Sequence, residues 1–199
     1  HTDSRICFHI LHDETVSEEN KRNLTIQSIQ ESLLACIQEK PINKITVNDI
    51  ITKARLTRSS FYNYFDDKYD LIETMENQII NIMHSDNSPA ITKPDKAHLM
   101  PVIMSKFTLL EPHNTAINLL LGPNGDPSFE TKLRQVIYDR MFKSHGLTVK
   151  RALIDGYIVS IMIQTLRTWP LISEELSTED LADIISHVML EGFVKPMSD

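Results

Sequence analysis

The stretch from Pro41 to Leu71 constrains the fold more than any other part of the sequence, because one short apolar helix pattern stops there and another begins within a few residues. In its first half the apolar residues recur at three- and four-residue intervals: Val47, Ile50, Ile51 and Ala54. This spacing predicts a helix of about two turns with one buried face. Thr46 is placed to cap it, and Asp49 gives a weak version of a capping box.

A second short helix is predicted from Thr57, whose hydroxyl can accept hydrogen bonds from the first amides of the helix. Phe61 and Phe65 lie four residues apart and therefore point to the same core. The residues left on the outer side are small, polar or basic: Arg58, Ser59, Ser60, Tyr62 and Asn63. Two short helices joined by a tight turn, with such a face on the second helix, predict a helix-turn-helix that touches nucleic acid.

The run TVNDIITKARLTRSSFYNYFDDKYDLI resembles the DNA-binding signature of TetR-family transcriptional regulators. The match is most specific at SFYNYF, which ends at Phe65, and at Lys68 and Leu71 after it; it covers roughly residues 24 to 76. The resemblance implies an all-helical dimer with a helix-turn-helix near each N-terminus and a larger C-terminal domain for a ligand or partner.

The resemblance also implies roles for nine side chains. Two at the start of the first short helix would meet phosphate or a base edge: Thr46 and Asn48. Four would enter the major groove: Arg58, Ser59, Ser60 and Asn63. Three would contact the DNA backbone: Tyr62, Tyr64 and Lys68.

The turn between the two helices departs from the family pattern, since this chain has Arg55 where the family usually has glycine. A residue other than glycine that is forced to positive φ costs about 1 kcal/mol. We expect either a mildly strained or a slightly different turn. A contact between Arg55 and a DNA phosphate would compensate for the strain.

The formal net charge of -7 over 199 residues argues at first against a nucleic-acid-binding protein. The local balance differs, because the stretch between Lys40 and Lys68 holds six basic and three acidic residues, a balance of +3. A basic footprint on an acidic protein is compatible with DNA binding that is sensitive to salt.

Cysteine usage and hydropathy favour a reduced protein of the cytoplasm. The two cysteines, Cys7 and Cys36, imply no disulfide framework, and Cys36 falls on an apolar helix face. We expect no signal peptide and no membrane span, since the apolar runs are too short. His9 and His12 have a spacing that a metal can use, but we predict no metal site and no cofactor.

The sequence predicts an all-α fold in three parts: an N-terminal tail over residues 1–20, a DNA-binding domain over 21–70 and a ligand-binding and dimerisation domain over 71–199. The first long helix is expected from about Glu18 to Pro41. A helix from Lys68 to about His84 leads into the C-terminal domain, and its tilt is a candidate route for coupling the two. Residues 85–96 carry turn formers and predict a linker or long loop. Later helices are expected over 96–110, 114–121, 128–143, 149–168 and 178–193.

The segment LLGPNGDPSFETKLRQVI also resembles the C-terminal domain of a TetR subgroup that includes activators of dihydroxyacetone kinase operons. By resemblance, the last two long helices form a homodimer, and small Gly156 and Ser160 would let backbones approach there. Simple internal core is the alternative for this helix pair. Candidate effector-lining residues are methionines, aromatics and leucines: Met100, Met104, Phe107, Leu120, Phe129, Leu133 and Trp169.

No motif for a nucleophile, zinc, phosphate loop or dinucleotide is present, so we do not expect an enzyme. The main hypothesis is a transcriptional regulator, a repressor in most such cases, that binds palindromic double-stranded operator DNA and responds to a small-molecule effector or a protein partner. The alternative is a TetR-like co-regulator that binds another protein and does not bind DNA alone.

Overall fold

The computed structural model describes residues 4–85, 95–142 and 148–192, and these form helices and connecting turns without a strand. In chain order the helices are α1 (Ser4–Glu39), α2 (Val47–Ala54), α3 (Arg58–Tyr62), α4 (Lys68–Ser85), α5 (Lys96–Leu110), α6 (Asn114–Leu120), α7 (Pro127–Phe142), α8 (Val149–Ile172) and α9 (Thr178–Glu191). Two 3-10 turns, Ile42–Lys44 and Glu111–His113, precede α2 and α6. The all-α fold class is confirmed.

Most helix bounds agree with the predictions, but α1 does not. It begins at Ser4 rather than at about Glu18. The apolar residues of this part are concentrated in the short run 6–11, which His9 interrupts and polar residues follow, so the sequence shows no sustained helical period there. α8 continues past Thr168 to Ile172 with Pro170 inside it. The side chains of Cys7, His9 and His12, and residues 86–94 of the predicted linker, lie outside the described residues.

The chain divides into two compact units, His1–Glu73 and Thr74–Asp199. In the first unit α1 packs against α2, and α2 against α3. The core consists of fully or almost fully buried side chains: Ile29, Leu33, Cys36, Ile37, Ile42, Ile45, Ile50, Ile51, Phe61, Phe65, Leu71 and Ile72. Both phenylalanines point inward as predicted. Burial raises the pKa of the Cys36 thiol, in keeping with an inert core residue.

In the second unit α5 packs against α9, and α6 and α7 pack against α8. Trp169 on α8 is fully buried, with its ring edge-on to Phe107 of α5 at a centroid distance of 5.0 Å. The α6–α7 connection is a turn, as predicted for GPNGDPSF. A Cβ at Gly125 would lie 2.0 Å from the Leu120 carbonyl oxygen, so only glycine fits. Asp126 then caps α7, since its Oδ1 accepts a hydrogen bond of 2.8 Å from the Ser128 amide.

Two kinds of feature are absent from the part of the chain that the structure describes. No group of three or more histidine, cysteine or acidic side chains there is arranged to hold a metal ion. Likewise, none of the described helices is long and apolar enough to cross a membrane.

Candidate nucleic-acid interface

The start of α2 is fixed by a complete capping box. Thr46 Oγ1 accepts a hydrogen bond from the Asp49 amide at 3.2 Å, and Asp49 Oδ2 accepts one from the Thr46 amide at 2.7 Å. Lys40 lies 2.8 Å from the same carboxylate, and this contact, together with the hydrogen bonds from Thr46, lowers the pKa of Asp49 to about 2. The box confirms the predicted cap. It also commits the Thr46 hydroxyl to the protein, whereas the side chain of Asn48 is exposed.

The turn between α2 and α3 is strained at Arg55, the position where the sequence departs from the family pattern. Arg55 has φ 54° and ψ 41°, a left-handed conformation that terminates α2, and it is the one non-glycine residue with positive φ in the described part of the chain. The Leu56 amide donates a 3.0 Å hydrogen bond back to the Ile51 carbonyl oxygen and closes the turn. Arg55 is exposed and lies three residues before the start of α3.

α3 is a single short turn of helix held by Thr57 and Phe61. The Thr57 hydroxyl accepts a hydrogen bond of 3.1 Å from the Ser60 amide, which confirms the predicted cap. Phe61 is fully buried, so its neighbours on the opposite side face outward. Ser59 is exposed, but Ser60 is half-buried and its hydroxyl lies 2.8 Å from Thr57 Oγ1.

The exposed side of α3 presents a guanidinium and a phenol together. Arg58 Nη2 lies 3.5 Å from the Tyr62 hydroxyl, and the Arg58 guanidinium carbon lies 5.8 Å from the centre of the Tyr62 ring. Tyr62 is 45% exposed while its ring edge rests on Phe61. Arg58 is therefore already oriented by a neighbour that is itself anchored in the core. Asn63 is exposed at the end of α3 and Tyr64 is half-buried.

A polar groove beside Tyr64 contains residues that the sequence reasoning missed. It has a volume of about 580 Å³ and is lined by Tyr64 and by one face of α1: Glu18, Glu19, Lys21, Arg22 and Thr25. Lys44, in the turn before α2, is another exposed cation. A count of basic residues around α1 would have pointed to Lys21 and Arg22, although the two adjacent glutamates oppose them.

Lys68 differs from the exposed side chains of α3, because its ammonium is hydrogen-bonded within the protein. Its ammonium donates three hydrogen bonds to backbone carbonyl oxygens, those of Ile42 at 2.9 Å, Asn43 at 3.1 Å and Ile45 at 2.7 Å. The predicted contact between Lys68 and a DNA phosphate therefore competes with a site that the protein already fills.

Residues 29–75 match the sequence profile of the tetR family of bacterial regulatory proteins. The match spans the end of α1, the capped α2, the strained turn, α3 and the start of α4. The similarity to the tetR family therefore concerns this segment of the chain.

A curated bacterial protein is similar to a short stretch of this chain. The uncharacterized HTH-type transcriptional regulator YxbF of Bacillus subtilis (strain 168) is 40% identical over 45 residues, which is 23% of this chain and 12% of that protein. The chain thus spans only a small part of the length of this relative.

Solved structures extend the likeness to the fold of nearly the whole chain. A TetR transcriptional regulator from Streptococcus agalactiae 2603V has a TM-score of 0.56 at 20% identity, covering 89% of this chain and 99% of that one. The dihydroxyacetone kinase operon activator DhaS has a TM-score of 0.51 at 17% identity, with 83% and 94% covered. FadR from Bacillus subtilis in complex with stearoyl-CoA has a TM-score of 0.52 at 18% identity, with 84% and 98% covered. The chain has a TetR-like helix-turn-helix domain followed by a helical C-terminal domain.

The effector-lining residues expected in this C-terminal domain fall into two groups. Five are core residues with at most 1% exposure, and they line neither the groove along α5 nor the cleft between α4, α5, α7 and α8: Phe107, Leu120, Phe129, Leu133 and Trp169. The same helical spacing is found in a filled core and in a cavity wall, so the sequence did not distinguish the two. In the structure these five side chains pack in the core. Met100 and Met104 are half-buried and line an open groove of about 920 Å³ along α5.

A different cleft in the C-terminal unit lies where four helices meet. Its walls come from α4, α5, α7 and α8: Ile82, Met83, Lys106, Leu109, Leu110, Ile137, Arg140 and Met162. Its volume is about 20 Å³, close to that of one water molecule. Arg140 Nη1 donates a 3.1 Å hydrogen bond to the His84 carbonyl oxygen at the end of α4.

Proposed function

We propose that this protein is a transcriptional repressor that binds palindromic operator DNA as a homodimer. DNA binding is assigned to residues 21–70, and effector binding and dimerisation to residues 71–199. The observation that carries the proposal is the exposed side of α3, where Arg58 and Tyr62 lie together on a capped helix backed by the buried Phe61. A guanidinium with paired donors suits the O6 and N7 acceptors of guanine, and a phenol suits a phosphate. A DNA target puts the proposed site of action in the cytoplasm.

The remaining polar groups of this surface have complementary proposed roles. Ser59 near the start of α3 and Asn63 at its end are exposed and would contact base edges with Arg58, whereas Ser60 would contribute through the part of its hydroxyl that Thr57 leaves accessible. Thr46, Asn48 and Tyr64 would contact the DNA backbone or an adjacent base at the edges of the surface.

The homodimer is proposed through α8 and α9. Several large apolar side chains on α8 are exposed in the single chain, among them Leu153 at 56%, Tyr157 at 61% and Leu171 at 77%. Gly156 lies among them, and a Cβ built on it would have no neighbour within 4 Å. Ser160 is exposed on the same side, although its hydroxyl bonds Arg134 and the Gly156 carbonyl oxygen. An exposed apolar stripe with small residues suits close helix pairing with a second copy.

An effector is proposed to enter the cleft between α4, α5, α7 and α8. Its apolar walls, including Met83 and Met162, suit an apolar molecule, and methionine side chains adapt easily to a ligand. A cleft of about 20 Å³ has to open before it holds such a ligand. FadR, the relative solved with stearoyl-CoA, supports a search among acyl compounds. The test is whether a compound that raises the thermal midpoint also releases operator DNA; a stabilising compound without any effect on DNA binding would contradict this part.

The proposed function is tested with the DNA that flanks the protein's own gene. A mobility shift at low salt followed by footprinting should reveal two protected half-sites about 34 to 36 Å apart, one helical turn, or a multiple of that distance. The affinity should fall steeply as salt is raised, since phosphate contacts release counterions. A folded dimer that shifts no DNA at low salt would contradict the proposal and favour the co-regulator that binds another protein.

The sign of control needs its own experiment, because DhaS, a structural relative, is an operon activator. Transcription from the footprinted promoter in a purified system should fall when the protein is added. A rise would contradict repression while leaving operator binding intact.

A further inference from the structure

Lys68 is half-buried, and its ammonium is hydrogen-bonded to its own chain. It is the first residue of α4, and its three ammonium donors reach the carbonyl oxygens of Ile42, Asn43 and Ile45 at 2.9, 3.1 and 2.7 Å. The ring of Tyr69 lies on another side, with its centre 4.9 Å from Nζ. A lysine ammonium has three N–H donors, so its hydrogen-bonding capacity is used within the protein.

The three carbonyl oxygens belong to the turn that delivers the chain into α2. Ile42 is 8% exposed and Ile45 is 1% exposed, so these two buried side chains anchor the turn in the core. Ile45 directly precedes Thr46, the cap of α2, and Asn48 follows two residues later. Three carbonyl dipoles that converge on one point repel one another unless a cation lies between them. The ammonium therefore fixes the turn and, through it, the direction in which α2 starts.

We propose that Lys68 is a positioning residue for DNA binding: it holds the turn Ile42–Ile45 and so places Thr46 and Asn48, and it makes no phosphate contact of its own. This inference rests on the proposed function. α3 is held separately, by Thr57 and Phe61, so Arg58 does not depend on Lys68.

Charge-conserving replacement separates the two roles of this lysine. Lys68→Arg keeps the positive charge, but a planar guanidinium cannot direct three N–H groups at three convergent carbonyl oxygens. We expect operator affinity to fall at least about tenfold in Lys68→Arg and in Lys68→Met alike, with the slope of log affinity against log salt unchanged. Lys44→Met is the matched control, because the exposed ammonium of Lys44 is free to contact a phosphate. This variant should reduce the magnitude of the salt slope by about 0.9.

A double-mutant cycle shows which contacts Lys68 acts through. Asn48→Ala should weaken binding in the wild-type background but hardly at all in Lys68→Met, because the misplaced Asn48 no longer reaches DNA. Arg58→Ala should weaken binding by the same factor in both backgrounds. A Lys68→Arg variant with wild-type affinity, together with a Lys68→Met variant whose slope is lower by about 0.9, would overturn the proposal.

Amide hydrogen exchange in the absence of DNA tests independently whether Lys68 holds the turn Ile42–Ile45. Lys68→Met and Lys68→Arg should speed amide exchange over residues 42–49 and leave residues 58–62 unchanged. Unchanged exchange over 42–49 would overturn the proposal. If wild-type protein bound no duplex, the proposed function would fail, while the exchange data would still decide whether Lys68 holds the turn.

Discussion

Arg55 has a backbone conformation that lowers fold stability, and its side chain is exposed where a contact with DNA is proposed. Its left-handed backbone, with φ 54°, is a conformation that glycine adopts freely and that costs other residues about 1 kcal/mol. The side chain makes no hydrogen bond or ion pair with the rest of the described chain, so the protein alone does not account for arginine at this position. Its position beside α3 makes a phosphate contact the natural explanation.

Arg55→Gly should therefore raise the free energy of unfolding of the N-terminal unit by up to about 1 kcal/mol and weaken operator binding. Urea unfolding followed by circular dichroism measures the first effect, since the single tryptophan lies in the other unit. Arg55→Lys, which keeps both the strain and the charge, should leave stability and most of the affinity unchanged. Tighter DNA binding by Arg55→Gly would show that Arg55 makes no favourable contact with DNA.

At the scale of helices, the sequence predicted what local chemistry determines. Thr46 and Thr57 as caps and the bounds of α5 followed from side-chain type and spacing, because a cap acts within three residues of its own position. The role of Lys68 did not follow, since its acceptor at Ile42 lies 26 residues away. The burial of Phe129 and Leu133 in a filled core likewise did not follow from the sequence. Periodicity gives the inward direction of a side chain, and only packing decides whether a cavity lies there.

The contact between α4 and α7 contains a buried carboxylate that makes stability depend on pH. Glu76 is fully buried; its Oε2 lies 2.6 Å from Lys132 Nζ, and its Oε1 has no hydrogen-bond partner among the described residues. Burial raises the pKa of Glu76 above 4.5, and the nearby Asp126 adds to this, while Lys132 opposes it. The folded state thus keeps the proton to a higher pH than the unfolded chain, and folding stability declines as pH rises above 4.5.

Glu76→Gln removes this ionisation. Relative to wild type, its free energy of unfolding should be similar near pH 4 and progressively higher as pH rises from 4.5 towards 7. Urea unfolding followed by Trp169 fluorescence reports this, because Trp169, Glu76 and Lys132 belong to one unit. A difference between the two proteins that stays constant or shrinks over this range would contradict the raised pKa.

For the molecule as a whole, the proposed dimer determines whether one small helix can specify a DNA site. A single α3 offers few side chains, and the net charge of -7 opposes binding away from the basic stretch. Two copies related by a two-fold axis double the contacts and add the spacing of the half-sites as a criterion. The exposed stripe on α8 is the surface on which this proposal depends.

Gly156→Leu tests that stripe. Since nothing lies within 4 Å of a Cβ at this position, the single chain should accept the leucine and gain helix stability of about 0.5–1 kcal/mol. A dimer in which backbones meet at Gly156 should dissociate at least about tenfold more readily, as sedimentation equilibrium would show. Thr131→Leu adds a similar exposed side chain on α7 and should leave the dimer intact. An undisturbed dimer in Gly156→Leu would locate the interface elsewhere.

The most direct test of the central claim is the ratio of affinities for the footprinted operator and for a scrambled duplex of the same length. For Arg58→Ala this ratio should fall by about 5- to 150-fold, the discrimination of one bidentate base contact. Lys96→Ala also removes one positive charge, but from α5, where Lys96 pairs with Asp183, and it should leave the ratio unchanged. If Arg58→Ala binds both duplexes with the wild-type ratio, the exposed side of α3 does not read base sequence, and the proposed mode of operator recognition is wrong.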